Sequence, residues 1–325
     1  MTYTWSYLQK HPQEAKRLLG ISYEDLMKLI ELGQFLDKKQ KEKVEQQKTR
    51  LIRAGGGAKP KLSVEDQILL TLIYLRQCPT FQLLSLLFQI SESSAHNIFH
   101  YWLKIFNDEL PPSLIEQVKN SEDLEEDLSV FLTKSELIVD SLEQPRPRPV
   151  DYEKQKDCYS GKKHFHTVKS QLIVLPCGAD IVDICPGKKG PCSDIKIWRS
   201  RQHLFAKEQK FAGDKAYIGE PQINTPHKKP KKQELSSEQK EENKQFSSAR
   251  VFVEHIIRKL KTFRVIGEKI RLNLKMYNRV FEVVCGIVRL DLGTLILEVL
   301  NQGDDDEEIA IKLDHLWSSF LTVNP

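Results

Sequence analysis

Up to about residue 110 the apolar positions recur at helical spacing; from Glu136 they come in short runs at strand spacing. Leu26, Leu29, Ile30 and Leu36 share one side of a helix within 1–55, with Gly33 inside the stripe, and 38–48 is polar all round. Ala54-Gly55-Gly56-Gly57-Ala58-Lys59-Pro60 is a breaker. Ser63 and Asp66 then open a helix with Ile68, Leu69, Leu72, Ile73 and Leu75 on its apolar side. Thr80 caps a second short helix over 81–88, and Ser91 caps a third with Ala95, Ile98, Phe99 and Trp102 inward. Ser93, His96, Asn97, His100 and Lys104 are left outward on that third helix. This is the layout of a helix-turn-helix, whose last helix offers hydrogen-bonding groups to base edges in a major groove. A plain three-helix bundle shares the pattern.

Residues 108–134 are acidic and interrupted by Pro111-Pro112, the pattern of a linker. Leu137-Ile138-Val139-Asp140 reads as a short apolar strand ending in a carboxylate, and the Pro-Arg alternation over 145–149 excludes helix and central strand. Strands are predicted over 165–175 and 180–184, a short helix over 194–203, and a strand over 210–214 ending at Asp214. Residues 220–245 are Lys-rich and insertion-like. Over 248–263 an amphipathic helix buries Ala249, Phe252, Val253, Ile256, Leu260 and Phe263.

The net charge of +4 over 325 residues hides an asymmetry. Residues 145–280 hold 30 Lys plus Arg against 15 Asp plus Glu, an excess of +15, so the remainder carries −11, part of it in Asp304-Asp305-Asp306-Glu307-Glu308. A segment this basic attracts polyanions, nucleic acid first among them, although a solvated Lys-rich surface has the same composition. The 6 cysteines include no C-x-x-C pair, so a disulfide scaffold and a structural zinc site are not expected. No apolar run reaches the ~18 residues of a membrane helix, and residues 1–10 lack the pattern of a secretory signal. Secreted, membrane-spanning and largely disordered classes are set aside, and a cytoplasmic, nucleoid-associated protein is expected.

Asp140 and Asp214 each close a predicted strand, where a side chain is held rigidly. Arg250, Glu254, Arg258 and Lys261 share one polar face of the long helix. If that face looks at the strand ends, three carboxylates meet, a donor set that suits Mg²⁺. Two such ions clamp the attacking and leaving oxygens of a phosphodiester displacement. The same helix face is equally an i, i+4 ion-pair ladder, and strand-end aspartates also serve as turn residues.

At these residues the chain resembles the DDE transposases of bacterial insertion sequences, in the endonuclease group shared with Harbinger-type transposases. The resemblance is carried by Leu137-Ile138-Val139-Asp140-Ser141, by 159–163 followed by His166-Thr167-Val168-Lys169, and by Gly213-Asp214-Lys215-Ala216-Tyr217. It continues through Thr225-Pro226-His227-Lys228-Lys229 and Asn243 to 248–255. In the family's C-terminal signature, Tyr-x2-Arg-x3-Glu-x6-Lys/Arg, the last three members match Arg250, Glu254 and Lys261, while Ser247 stands in place of the Tyr. The resemblance spans about 62–290 and implies an α/β fold, an RNase H-like mixed five-stranded sheet flanked by helices, preceded by an all-α helix-turn-helix domain. Five regions are expected: a helical 1–60, the helix-turn-helix at 61–107, the linker at 108–134, the catalytic domain at 135–295 and an acidic tail at 296–325. It also implies a transposase that binds its element's ends on double-stranded DNA, cuts them with an activated water and transfers the freed 3′-OH to target DNA. Asp140, Asp214 and Glu254 would be the catalytic metal ligands for two Mg²⁺ ions, with Mn²⁺ as a substitute; Asp194 is the rival for the second position. DNA contacts are expected from Ser93, His96, Asn97, His100, Lys162, Lys163, Lys169, Lys228, Lys229, Arg250, Arg258 and Lys261. A homodimer or higher oligomer on DNA is expected because two ends are joined in concert. The alternatives are an inactive, transposase-derived DNA-binding protein and a nuclease of the same fold that makes no strand transfer.

Overall fold

Ser22, Ser63, Thr80 and Ser91 each stand one residue before a helix, and each side-chain oxygen accepts a backbone N–H three residues on. That local chemistry starts four of the six N-terminal helices in the computed structural model, which describes residues 3–47, 60–119, 122–230 and 234–295. The breaker at 54–59 and the acidic run at 304–308 lie outside the described residues.

The chain divides into two compact units. The first holds α1 (Tyr3–Lys10), α2 (Ala15–Leu19), α3 (Tyr23–Gln46), α4 (Val64–Gln77), α5 (Phe81–Phe88) and α6 (Glu92–Glu109). Leu8, Leu19, Leu26, Leu29, Ile68, Leu69, Leu72, Leu84, Phe99 and Trp102 are fully buried there. Gly33 lets α3 approach α4 and α6 closely, because a Cβ would run into Ile68 and the Trp102 ring. The Trp102 indole N–H donates to Gln67 Oε1 at 3.0 Å, so this deep ring leaves no donor unmet. The left-handed turns at Cys78 (φ 49°) and Gln89 (φ 54°) end α4 and α5, and so set the two corners of the helix-turn-helix.

The second unit begins with α7 (Leu114–Val118) and α8 (Glu122–Thr133). The region expected as a linker is therefore mostly helix. Leu114, Val118, Leu124, Leu128, Phe131 and Leu132 are buried in one cluster with Leu137, Val139, Ile173, Val182, Trp198 and Phe211 of the sheet and its flanks. The acidic residues 125–127 occupy the exposed side of α8 and conceal this stripe from a reading by composition.

The strands are β1 (Leu137–Pro145), β2 (Tyr159–Ser160), β3 (Phe165–Val174), β4 (Ile181–Lys189), β5 (Phe211–Ala212) and β6 (Ile223–Asn224). β3 pairs antiparallel with β1 and β4, and β5 pairs parallel with β1 and β6. The main path is thus β4-β3-β1-β5-β6, three antiparallel strands followed by two parallel ones, which is the RNase H-like arrangement. β2 is a sixth, two-residue strand on β3. α9 (Tyr152–Cys158), α10 (Asp194–Arg199), α11 (Ser237–Thr262), α12 (Arg264–Gly267) and α13 (Leu274–Leu292) complete the elements. α11 starts eleven residues earlier than the predicted helix at 248, inside the segment read as an insertion.

α13 carries an unusual core residue. Arg289 is wholly buried, donates from Nε and Nη2 to both carboxylate oxygens of Asp180, and from Nη1 to the Pro111 and Ser113 carbonyls and Gln117 Oε1. Every donor nitrogen has an acceptor, which is the condition under which a charge is tolerated in an interior.

Candidate active site

The apolar run of β1 ends at Asp140, but the strand does not; it continues to Pro145 opposite Thr167. Asp140 is therefore a mid-strand residue, not a strand-end one. The parallel register pairs Ile138 with Ala212. β5 ends at Ala212, and Asp214, two residues beyond it, lies near enough for its charge to act on Asp140. Gly213 allows the tight turn there, since a Cβ would lie 2.8 Å from both Tyr217 and Ile223. Asp214 then caps the 3₁₀ turn Lys215–Tyr217, accepting from the Ala216 N–H at 2.8 Å.

Burial raises the pKa of the Asp140 carboxyl above the ordinary aspartate value. Arg250 and the Ser141 N–H oppose that shift, and the negative charge of Asp214 adds to it. Arg250, from α11, donates to Asp140 Oδ2 at 3.1 Å. Glu254, one turn further along α11, lies with Asp140 in the lining of a cavity of about 450 Å³. Ser141, Glu143, Lys162, Lys163, Arg258 and Lys261 share that lining. Asp140 thus has Asp214 nearby at the turn after β5 and shares the cavity lining with Glu254. Among the described residues no group of three His, Cys, Asp or Glu side chains is close enough together to hold a metal ion. The donor chemistry nonetheless fits a hard dication: the ligand atoms are carboxylate oxygens, and the Arg250 guanidinium already stands in as a cation on Asp140.

Other expected contacts fall in different places. Lys162, Lys163, Lys228 and Lys229 are exposed, Lys229 in an ion pair with Glu234. Lys169 is not available to a phosphate. It is buried on β3, 3.5 Å from Glu143 and 3.2 Å from Asp194, and it donates to the Cys192 carbonyl. Two carboxylates from distant segments already compensate its charge. Asp194 opens α10, whose cap is the neighbouring Ser193. His164 has φ 60° and sits in the turn before β3, whereas His166 lies on that strand.

Glu143 escaped the sequence reading because the strand seemed to stop at Asp140. It accepts from Thr167 Oγ1 at 3.0 Å and faces the same cavity. Tyr217 is fully buried, with its hydroxyl 2.8 Å from Gln171 Nε2 and 3.4 Å from Ser141 Oγ. Burial, with the charges of Asp194 and Asp140, raises its pKa well above the usual phenol value. It packs below the Asp140 strand as a neutral spacer. On α6, Ser93, His96 and Asn97 are exposed and His100 is half-buried.

An RNase H-like sheet with an acidic residue on its first strand, in a cavity lined by cations, and following a helix-turn-helix, defines a polynucleotide-processing enzyme. The DDE superfamily endonuclease profile matches residues 139–289 and the helix-turn-helix of DDE superfamily endonuclease matches 60–112. A probable transposase for insertion sequence element IS702, from Microchaete diplosiphon, is 29% identical over 283 residues, covering 86% of this chain and 94% of its own length. A crystal structure of a pre-cleavage Mos1 transpososome aligns over 78% of this chain and 84% of its own at 8% identity. The TM-score of that alignment is 0.17. The chain belongs to the DDE superfamily of insertion-sequence transposases.

Proposed function

We propose that this DNA transposase cuts and joins strands at the cavity lined by Asp140 and Glu254, with Asp214 joining them when Mg²⁺, or Mn²⁺ in its place, binds there as a pair of ions. The supporting observation is that Asp140 and Glu254 line one cavity with Lys162, Lys163, Arg258 and Lys261. Carboxylates that bind cations and cations that bind phosphates are thereby interleaved within reach of one phosphodiester. Divalent ions there would orient the attacking oxygen and neutralise charge on the leaving one.

The chain's own groups do the rest. β1 would hold Asp140 and the turn after β5 would hold Asp214. Lys162, Lys163, Arg258 and Lys261 hold the backbone on either side of the scissile bond. Arg250 compensates Asp140 while no ion is bound. Water attacks first, and the freed 3′-OH attacks target DNA in the second displacement; each is in line, so positioning supplies most of the rate. Ser93, His96, Asn97 and His100 read the element's ends, and two or more copies act together on the paired ends.

The test is a cleavage and strand-transfer assay on duplexes carrying the element's own ends, with Mg²⁺, Mn²⁺ or chelator. Asp140→Ala, Asp214→Ala and Glu254→Ala are each expected to lose at least about 100-fold in both steps. Wild-type cleavage by all three variants would overturn the site assignment. Cleavage without joining would mark a nuclease of the same fold.

A further inference from the structure

The outward face of α6 holds an arrangement that DNA reading does not require. His96 and His100 are one helical turn apart, and their Nε2 atoms face each other at 2.9 Å. Both rings are flanked by aromatic groups: His96 lies edge-on to Phe81 at 5.1 Å and His100 edge-on to Phe99 at 5.4 Å between centroids. His96 Nδ1 lies 3.5 Å from Asn97 Oδ1, an acceptor that favours keeping the ring proton on Nδ1. As the rings stand, a single proton is shared between two nitrogens. With that proton on Nδ1 instead, two lone pairs converge on one point.

The spacing selects the ion. Two metal–nitrogen bonds of ~2.0–2.1 Å spanning 2.9 Å subtend about 90° at the metal. A tetrahedral ion needs a separation nearer ~3.3 Å. A right angle is the cis angle of square-planar and tetragonal coordination, the preference of Ni²⁺ and Cu²⁺. Imidazole nitrogens suit these ions, whereas the carboxylates around Asp140 suit hard ones. We propose that His96 and His100 form a bidentate site for a tetragonal transition-metal dication on α6, distinct in donor chemistry from the carboxylates of the catalytic unit.

The test uses the full chain, stripped of metal and then saturated with Mg²⁺ to occupy the carboxylates. Ni²⁺ is titrated by calorimetry into wild type, His96→Gln, His100→Gln and the double variant, with circular dichroism to verify folding. One site is expected in wild type, weakened at least about tenfold by either single change, because the second nitrogen no longer binds intramolecularly, and abolished in the double variant. Cu²⁺ in wild type is expected to give a paramagnetic resonance spectrum with hyperfine splitting from two equatorial nitrogens, a readout independent of any variant's folding. Equal Ni²⁺ binding by wild type and the double variant, or a Cu²⁺ spectrum without the two-nitrogen pattern, overturns the proposal.

Discussion

Asp183 and Arg201 show how unequal the two ends of an ion pair are. Asp183 is almost wholly buried in β4 and receives two donors from Arg201, whose side chain is 27% exposed. Burial nevertheless holds the Asp183 pKa above its ordinary value, Arg201 only partly offsetting it. A carboxyl whose folded pKa exceeds its unfolded one contributes most at low pH, and that contribution is lost as pH rises through the folded value. At neutral pH the ionised form is therefore a cost to the fold. Asp183→Asn is expected to lie within about 1 kcal/mol of wild type, or above it, at pH 7, its relative advantage shrinking on acidification. Arg201→Ala leaves the carboxylate unpaired in the interior and is expected to cost about 3–5 kcal/mol. Urea titrations at two pH values measure both; a large loss in Asp183→Asn would contradict the assignment.

At the scale of elements, α8 is the least obvious part of the catalytic unit. Phe131 is 5% exposed in the same cluster as Trp198 and Phe211. Phe131→Ala is expected to destabilise this unit by about 3–5 kcal/mol, whereas Glu125→Gln on the wet side of the helix should shift the midpoint of unfolding little. If Phe131→Ala unfolded at the wild-type midpoint, the segment would be the linker its composition suggests. The contrast explains which elements the sequence made legible. Ser63, Thr80 and Ser91 announce α4, α5 and α6 because a cap acts within three residues. Asp140, Asp214 and Glu254 stand out in the sequence as members of three ordered motifs, and in the fold Asp140 and Glu254 share one cavity lining. What local pattern missed rests on distant partners. β1 runs on through Ser141, Glu143 and Gln144 because β3 pairs with them, and Lys169 faces inward because Glu143 and Asp194 wait there. Nothing in the hydrophobic alternation records either partnership.

Over the whole molecule, charge is divided by task. The excess of +15 over 145–280 lies among residues assigned almost entirely to the catalytic unit, whereas the outward face of α6 presents hydrogen-bonding groups. Affinity for duplex DNA is expected to fall steeply with salt, because each neutralised phosphate releases counterions. Lys162→Gln with Lys163→Gln should reduce the slope of log affinity against log salt by up to ~1.8 and weaken all sequences alike. Asn97→Ala should instead cost about 1–3 kcal/mol on the element's own end and little elsewhere. Fluorescence anisotropy at several salt concentrations separates the two; an unchanged slope in the lysine double variant would remove those side chains from the DNA path.

The Arg289 contacts have a bearing on how the enzyme is made. The carbonyl of Pro111 waits for a donor 178 residues downstream. On a translating ribosome, the opening turn of the catalytic unit therefore stays unfastened until almost the whole unit has been synthesised. A message that stops short of α13 would leave the Asp180 carboxylate and the Pro111 and Ser113 carbonyls without this donor, and the catalytic unit unlocked at its opening turn.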